Sequence, residues 1–136
     1  LFENNPQVFT FSMHGKNNYP FHKEKSDLDI ELPDGTSDEA YLDLLIMNLP
    51  ALIKKVQPDF AFYLSGVDIL QSDKFGKLKI TTPGCRRRDE LVFSLLKNAG
   101  IPCAVAMGGG YSSDIKIITE AHCNTFRAAS EIYQLH

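Results

Sequence analysis

The sequence predicts an α/β fold built on a parallel sheet, and three observations carry that expectation. Strand-like and helix-like segments alternate along the chain. Two of the strand-like runs are apolar almost throughout, as strands buried on both faces are. The helix-like segments open on capping signals. That alternation is the rhythm of a parallel sheet covered by helices on both faces.

The elements follow in order. VFTFSMH (8–14) is rich in β-formers and reads as a strand. GKNNYPFHKEK (15–25) is polar, is broken by Pro20, and reads as a loop. LDIELP (28–33) sets Leu28, Ile30 and Leu32 on one side, the pattern of a half-exposed strand. DGTSDE then gives a turn and a helix start, with Ser37 or Thr36 as N-cap and Asp38 and Glu39 in the first turn.

Leu42, Leu45, Ile46, Leu49, Leu52, Ile53 and Val56 continue at helical spacing, and Pro50 is expected to kink or split that helix. DFAFYLSG (59–66) predicts a buried parallel strand. TTPGCRRRDELVFSLLKNAG (81–100) has Pro83 early, an amphipathic body and a closing Asn-Ala-Gly, which predicts a helix. IPCAVAM (101–107) reads as another buried strand, and SSDIKIITEAHCNTFRAASEIYQL as a final helix capped by Ser112 or Ser113.

Size and composition narrow the function classes. The chain has 136 residues, enough for one domain with its own core. A net charge of -3 and a pI near 5.8 argue against broad electrostatic binding of nucleic acid. No apolar run reaches the length of a membrane span, and no signal peptide opens the chain. Cys85, Cys103 and Cys123 lack C-x-x-C spacing, which disfavours a zinc finger and fits a reducing, cytoplasmic setting. A nuclear location also fits if the source is eukaryotic. The chain begins LFENNPQVFTF without methionine, which reads as the middle of something larger or as a processed start.

In open parallel sheets, function gathers beyond the carboxyl ends of the strands. Three such ends carry polar or aromatic residues: YLSGVDIL, with Asp68; AMGGGY, with Tyr111; and SMHGKNNYPF, with His14, Tyr19 and Phe21. Right-handed crossovers would bring all three to one rim. Asp68 reads either as a turn or cap aspartate or as a metal ligand.

The triple glycine before Tyr111 allows positive φ and close backbone approach. GGGYSSD therefore fits a phosphate cradle or a plain tight turn, although G-x-G-x-x-G fails at Ser113. Local reasoning does not separate these. The four histidines, His14, His22, His122 and His136, form no H-x-x-x-H or H-x-D pair, and His14 reads as structural. Arg86, Arg87 and Arg88 read most simply as a solvated helix face.

At this point the residues carry a resemblance. SGVDILQSDKFGKLKITTPGCRRRDELVF followed by AMGGGY resembles the zinc-dependent histone deacetylase family of the arginase-deacetylase superfamily. The family pattern has Gly-x-Asp at a strand end, an aspartate and a glycine in the next loop, a helix and strand, and a glycine run closed by tyrosine. RRDELVF and its spacing from DILQSDKFGKL look most like the class IV branch and its bacterial relatives. VFTFSMH and NNYPF are similar to the family's strand and channel-lip loop.

The resemblance implies roles for individual residues. Asp68 matches the second aspartate ligand of the catalytic zinc. Tyr111 matches the tyrosine whose hydroxyl binds the acyl oxygen, with Gly108, Gly109 and Gly110 shaping the acetyl pocket. Phe75 falls at a channel-wall position, and Tyr19 at the aromatic that grips the lysine side chain. Ser12 and the carbonyl of Met13 match part of a monovalent-cation (K+) site. The implied reaction is hydrolysis of acetyl-lysine or a similar acylated amine, with zinc-bound water attacking the amide carbonyl and Tyr111 stabilising the oxyanion.

The family's other parts are an Asp-x-His motif and an adjacent histidine pair, expected upstream of position 1; neither occurs in these 136 residues. One carboxylate does not make a catalytic zinc site, and loss of the base removes a further factor of roughly 10²–10⁴. The resemblance therefore implies that residues 1–136 are a single segment, the C-terminal portion of a three-layer parallel-sheet arginase/deacetylase-like fold. The expected parent is an enzyme, while the segment alone is expected to be inactive and weak in zinc binding. The open sheet edge predicts association, with a homodimer as one outcome. Two other readings compete: a non-catalytic α/β partner-binding module derived from a deacetylase, and a nucleotide-binding domain using GGGYSSD.

Overall fold

The computed structural model describes residue 2 and residues 4–135. The chain is α/β, with four strands and three helices among those residues. Strand β1 (Phe11–Gly15) pairs in parallel with β2 (Leu28–Leu32), Phe11 opposite Leu28. Helix α1 (Asp38–Val56) leads to β3 (Ala61–Gly66), α2 (Thr82–Asn98), β4 (Cys103–Gly108) and α3 (Ile115–Tyr133). Strands β3 and β4 are parallel neighbours, with Ala61 opposite Cys103 and Gly66 opposite Gly108.

The helix starts follow side-chain chemistry. The Ser37 hydroxyl accepts from Ala40 N at 3.5 Å and caps α1, whereas the Thr36 hydroxyl turns back to donate to Pro33 O. Thr81 caps α2 by accepting from Gly84 N at 3.0 Å, and it is itself held by Asp38, which receives both its N–H and its hydroxyl. One carboxylate thereby joins the first turns of two helices. Helix α3 is capped by Asp114, which accepts from Lys116 N at 2.9 Å, rather than by Ser112 or Ser113. The Asp114 carboxylate also places negative charge at a helix N-terminus, where it is favourable.

Three further expectations are corrected. The strand expected over 8–14 begins at Phe11, with Val8–Thr10 outside it. Helix α1 continues through Pro50, so of the two expected outcomes the split does not occur. The strands do not form one sheet covered on both faces: among the described residues they form two separate parallel pairs.

The β3–β4 pair explains the missing cover. One of its faces is closed by α2 and α3. Tyr63 meets Phe93 edge-to-face at 5.6 Å, Phe93 meets Tyr133 at 6.2 Å, and Cys103 lies beside Tyr133. Phe93 is fully buried in that layer, a side chain whose burial contributes about 1.5–3 kcal/mol. The opposite face, with Phe62, Leu64, Ala104 and Ala106, is exposed, Phe62 to 83%. The apolar runs were therefore correct about strand type, while only half of their apolar surface is covered by these residues.

Candidate functional site

The site forms where β3 and β4 end side by side. Val67 N donates to Gly108 O at 3.0 Å, so the two chains leave the sheet together. Asp68 is the second residue past β3, and the glycine run begins at the last residue of β4. Gly109 has φ +67° and lies against the Asp68 side chain; a Cβ there would stand 2.9 Å from Asp68 Cβ and 3.1 Å from Oδ1. Any other residue would meet both a disfavoured backbone and an occupied space. The glycine is what allows the Tyr111 segment to pass directly over the carboxylate.

The Asp68 carboxyl receives no hydrogen bond from another side chain among the described residues and keeps one side open to solvent. Partial burial beneath the strand ends, joined by the nearby charge of Asp73, raises it above the ordinary aspartate range. Its own backbone N–H and the positive charge of Arg88 pull the other way.

Tyr111 is fastened by the loop that follows Asp68. Asp73 is buried, and its Oδ2 accepts from Tyr111 N at 2.7 Å. Its Oδ1 accepts from Phe75 N at 2.9 Å and from Gly76 N at 2.8 Å. Lys74 N donates to Tyr111 O at 3.3 Å. The rings of Phe75 and Tyr111 then meet edge-to-face at 5.1 Å, both more than half exposed. Asp68, Phe75, the three glycines and Tyr111 are thus one cluster.

Tyr19 lies on a separate loop, which leaves β1 in the other strand pair. The Lys23 ammonium donates to Lys16 O, Asn18 O and Pro20 O at 2.7–3.0 Å and folds the loop around itself. Asn18 Oδ1 accepts from Lys77 N at 2.9 Å, joining this loop to the one that carries Phe75. Tyr19 and Phe21 stand out from it at 79% and 81% exposure, edge-to-face at 6.3 Å, with a cis bond between Tyr19 and Pro20. Ser12 and Met13 remain on β1; the Ser12 hydroxyl is bonded to His14 Nδ1 at 2.8 Å. His14 is accordingly a partner of Ser12.

Behind the cluster lies a buried charge pair, which corrects the reading of Arg86–Arg88 as a solvated face. Only Arg87 is exposed; Arg86 bridges Glu90 and Glu131, and Arg88 is 4% exposed. Arg88 Nε donates to Asp89 Oδ1 at 2.9 Å, and Nη1 donates to Gly66 O at 2.5 Å, two residues before Asp68. Tyr63 and Thr125 hydroxyls also donate to Asp89, at 2.5 and 2.7 Å. Burial opposes the arginine charge, yet Tyr63, Cys85 and Asp89 around it hold its value well above the ordinary one. Burial likewise pushes the Cys85 thiol up to about 11.

The signal for this pair was present in the sequence. Cys85, Arg88, Asp89, Val92, Phe93 and Leu96 fall on one helical stripe, the stripe that faces the core. Asp73 had a weaker signal, an aspartate whose side chain accepts from the amides two and three residues on.

What this arrangement offers chemically is an unpartnered carboxylate with a glycine backbone against it, and, two residues on, a tyrosine held by its backbone amide with its ring against Phe75. For a divalent metal it is incomplete: among the described residues no three His, Cys, Asp or Glu side chains are arranged to hold an ion. Asp68 fits the role of one ligand, being open on one side and in no ion pair with another described residue. No helix among the described residues is long and apolar enough to cross a membrane.

Comparison with known proteins gives a consistent picture. Residues 1–128 match the model of the histone deacetylase domain. An uncharacterized protein of Picosynechococcus sp. is 44% identical over 133 residues, which is 98% of this chain and 44% of that protein. Histone deacetylase 2 of Arabidopsis thaliana is 32% identical over 125 residues, 89% of this chain and 32% of that protein. The chain therefore spans less than half the length of the curated relatives it matches.

Among solved structures, acetylpolyamine aminohydrolase from Burkholderia pseudomallei superposes with a TM-score of 0.76 at 22% identity, over 92% of this chain and 38% of that one. The histone deacetylase Clr3 gives 0.72 at 16% identity, over 94% of this chain and 23% of that one. At those identities the likeness is one of fold.

Proposed function

This chain belongs to the histone deacetylase family, and we propose that it forms the C-terminal half of a catalytic domain that hydrolyses acetyl-lysine or a similar acylated amine. The observation that carries the reading is the packing of Gly109 against Asp68, which sets the Tyr111 segment beside an open carboxylate at a strand end. The names of the matched proteins, a histone deacetylase and an acetylpolyamine aminohydrolase, support an acylated amine as the substrate class.

In this reading each residue has a defined task. Asp68 supplies one zinc ligand, and the remaining ligands and the general base come from outside these 136 residues. A bound zinc would polarise the acyl carbonyl and acidify the attacking water. Tyr111 donates its phenolic hydrogen bond to the acyl oxygen as negative charge develops there, without itself carrying charge. Gly108, Gly109 and Gly110 leave room for the acetyl methyl. Phe75 and Tyr19 provide aromatic surface along which the four-carbon stem of a lysine lies. Ser12 and the Met13 carbonyl are assigned to part of a K+ site.

The experiment is acetate release from an acetyl-lysine peptide by the whole protein, with and without a zinc chelator. Chelator-sensitive release is expected. A folded, zinc-loaded protein that releases no acyl group from acetyl-lysine or acetylated polyamines would overturn the proposal.

A further inference from the structure

We propose that Asp73 is a positioning residue, whose carboxylate fixes where Tyr111 stands. The catalytic part of this inference rests on the function proposed above; the structural part does not. Tyr111 is preceded by Gly109 at φ +67° and Gly110 at φ +109°, so the backbone leading to it has little preference of its own. Its position must therefore be imposed from outside, and the loop after Asp68 does so.

Asp73 Oδ2 takes the Tyr111 amide at 2.7 Å, while Oδ1 takes the amides of Phe75 and Gly76 at 2.9 and 2.8 Å. One buried carboxylate thus holds both aromatic residues whose rings meet at 5.1 Å. Lys74 N, bonded to Tyr111 O, and the antiparallel bridge between Asp73 and Ser112 complete a short clamp. The loop that shapes the wall and the segment that offers the phenol are registered through a single side chain.

The geometry requires both oxygens of an ionised carboxylate as acceptors. Asp73→Asn keeps the volume but has only one acceptor oxygen. Either the Tyr111 amide or the Phe75 and Gly76 pair then faces an NH2 group, donor against donor. D73N therefore separates positioning from space filling.

Two readouts test this. The first needs no activity: amide hydrogen exchange in the protein with and without D73N. Exchange at Tyr111 is expected to quicken about tenfold or more, the scale of a lost charge-assisted hydrogen bond, while core amides of α2 stay protected. An unchanged rate at Tyr111 overturns the proposal. Should D73N fail to fold, D73A removes both acceptors without adding a donor and is read in the same way.

The second readout is a kinetic cycle with the whole protein. D73N should lower kcat by about 10- to 100-fold with KM nearly unchanged, as misplacement of a catalytic group does. In a Y111F background it should cost little more, because the two residues act through one contact. Additive losses would contradict positioning through Tyr111. A wild-type protein without acetate release would instead remove the functional reading, leaving the exchange result to decide on Asp73.

Discussion

Replacing Arg88 with Met tests the buried support beneath the site. Methionine keeps helix propensity and fills much of the same volume, so what it removes is the charge. Asp89 has no exposed surface and depends on three aligned donors: Arg88 Nε at 2.9 Å, Tyr63 OH at 2.5 Å and Thr125 Oγ1 at 2.7 Å. Arg88 Nη2 adds its charge at 2.8 Å, although its alignment is too skewed to count as a hydrogen bond. In R88M two hydroxyls remain to compensate a buried anion, and Gly66 O loses its donor.

Breaking a buried pair from one side costs about 3–5 kcal/mol. For a urea slope of about 1.5 kcal/mol per molar, the midpoint should fall by roughly 2–3 M. The assay is urea unfolding followed by circular dichroism, on the parent protein, R88M, and R88M combined with D89N. Neutralising Asp89 as well should restore more than half of the loss, since the orphaned charge is its main source. An R88M midpoint within about 0.3 M of the parent, or a double variant no better than the single, would refute the reasoning.

Three other perturbations follow from the same geometry. In the whole protein, Tyr111→Phe should lower kcat by about 10²–10³ with zinc content unchanged, checked by acetate release and metal analysis. Asp68→Ala should reduce zinc occupancy, and metal analysis showing full occupancy would remove Asp68 from the ligand set. The Cys85 thiol is raised from 9.0 to about 11 by burial, so the folded state holds its proton more tightly than the unfolded chain. Its contribution is intact below pH 9.0 and declines as pH rises towards about 11, by an amount on the order of 2–3 kcal/mol. Urea midpoints at pH 8 and at pH 10.5 check this, with the lower midpoint expected at the higher pH.

The strands and helices were largely legible because their signals are local. Ser37, Pro83 and the apolar stripes announce helices, and continuous apolar runs announce strands. Sheet continuity was not legible, because local patterns announce each strand but not its pairing partners, and β2 and β3 are not paired. The cap of α3 was misplaced by one or two residues because Ser112, Ser113 and Asp114 are all good caps, and only φ and ψ choose among them.

The site divides in the same way. Asp68, Tyr111 and the glycines stand at strand ends, where topology alone directs attention. Arg88 was hidden by its neighbours: Arg86 and Arg87 made a charged run look solvated, although the helical stripe placed the third arginine inward. The clamp by Asp73 spans 38 residues, and no local pattern reports a contact of that separation.

We propose that these residues hold one part of a shared site, in which Asp68 and Tyr111 are completed by ligands and a base from elsewhere in the protein. The direct measurement is acetate release from an acetyl-lysine peptide by the 136-residue chain and by the whole protein, side by side, each with zinc added. The expected result is chelator-sensitive release from the whole protein and none above background from the chain alone. Zinc-dependent turnover by the isolated chain would contradict it, because the ligands and the base would then have to be found within these residues.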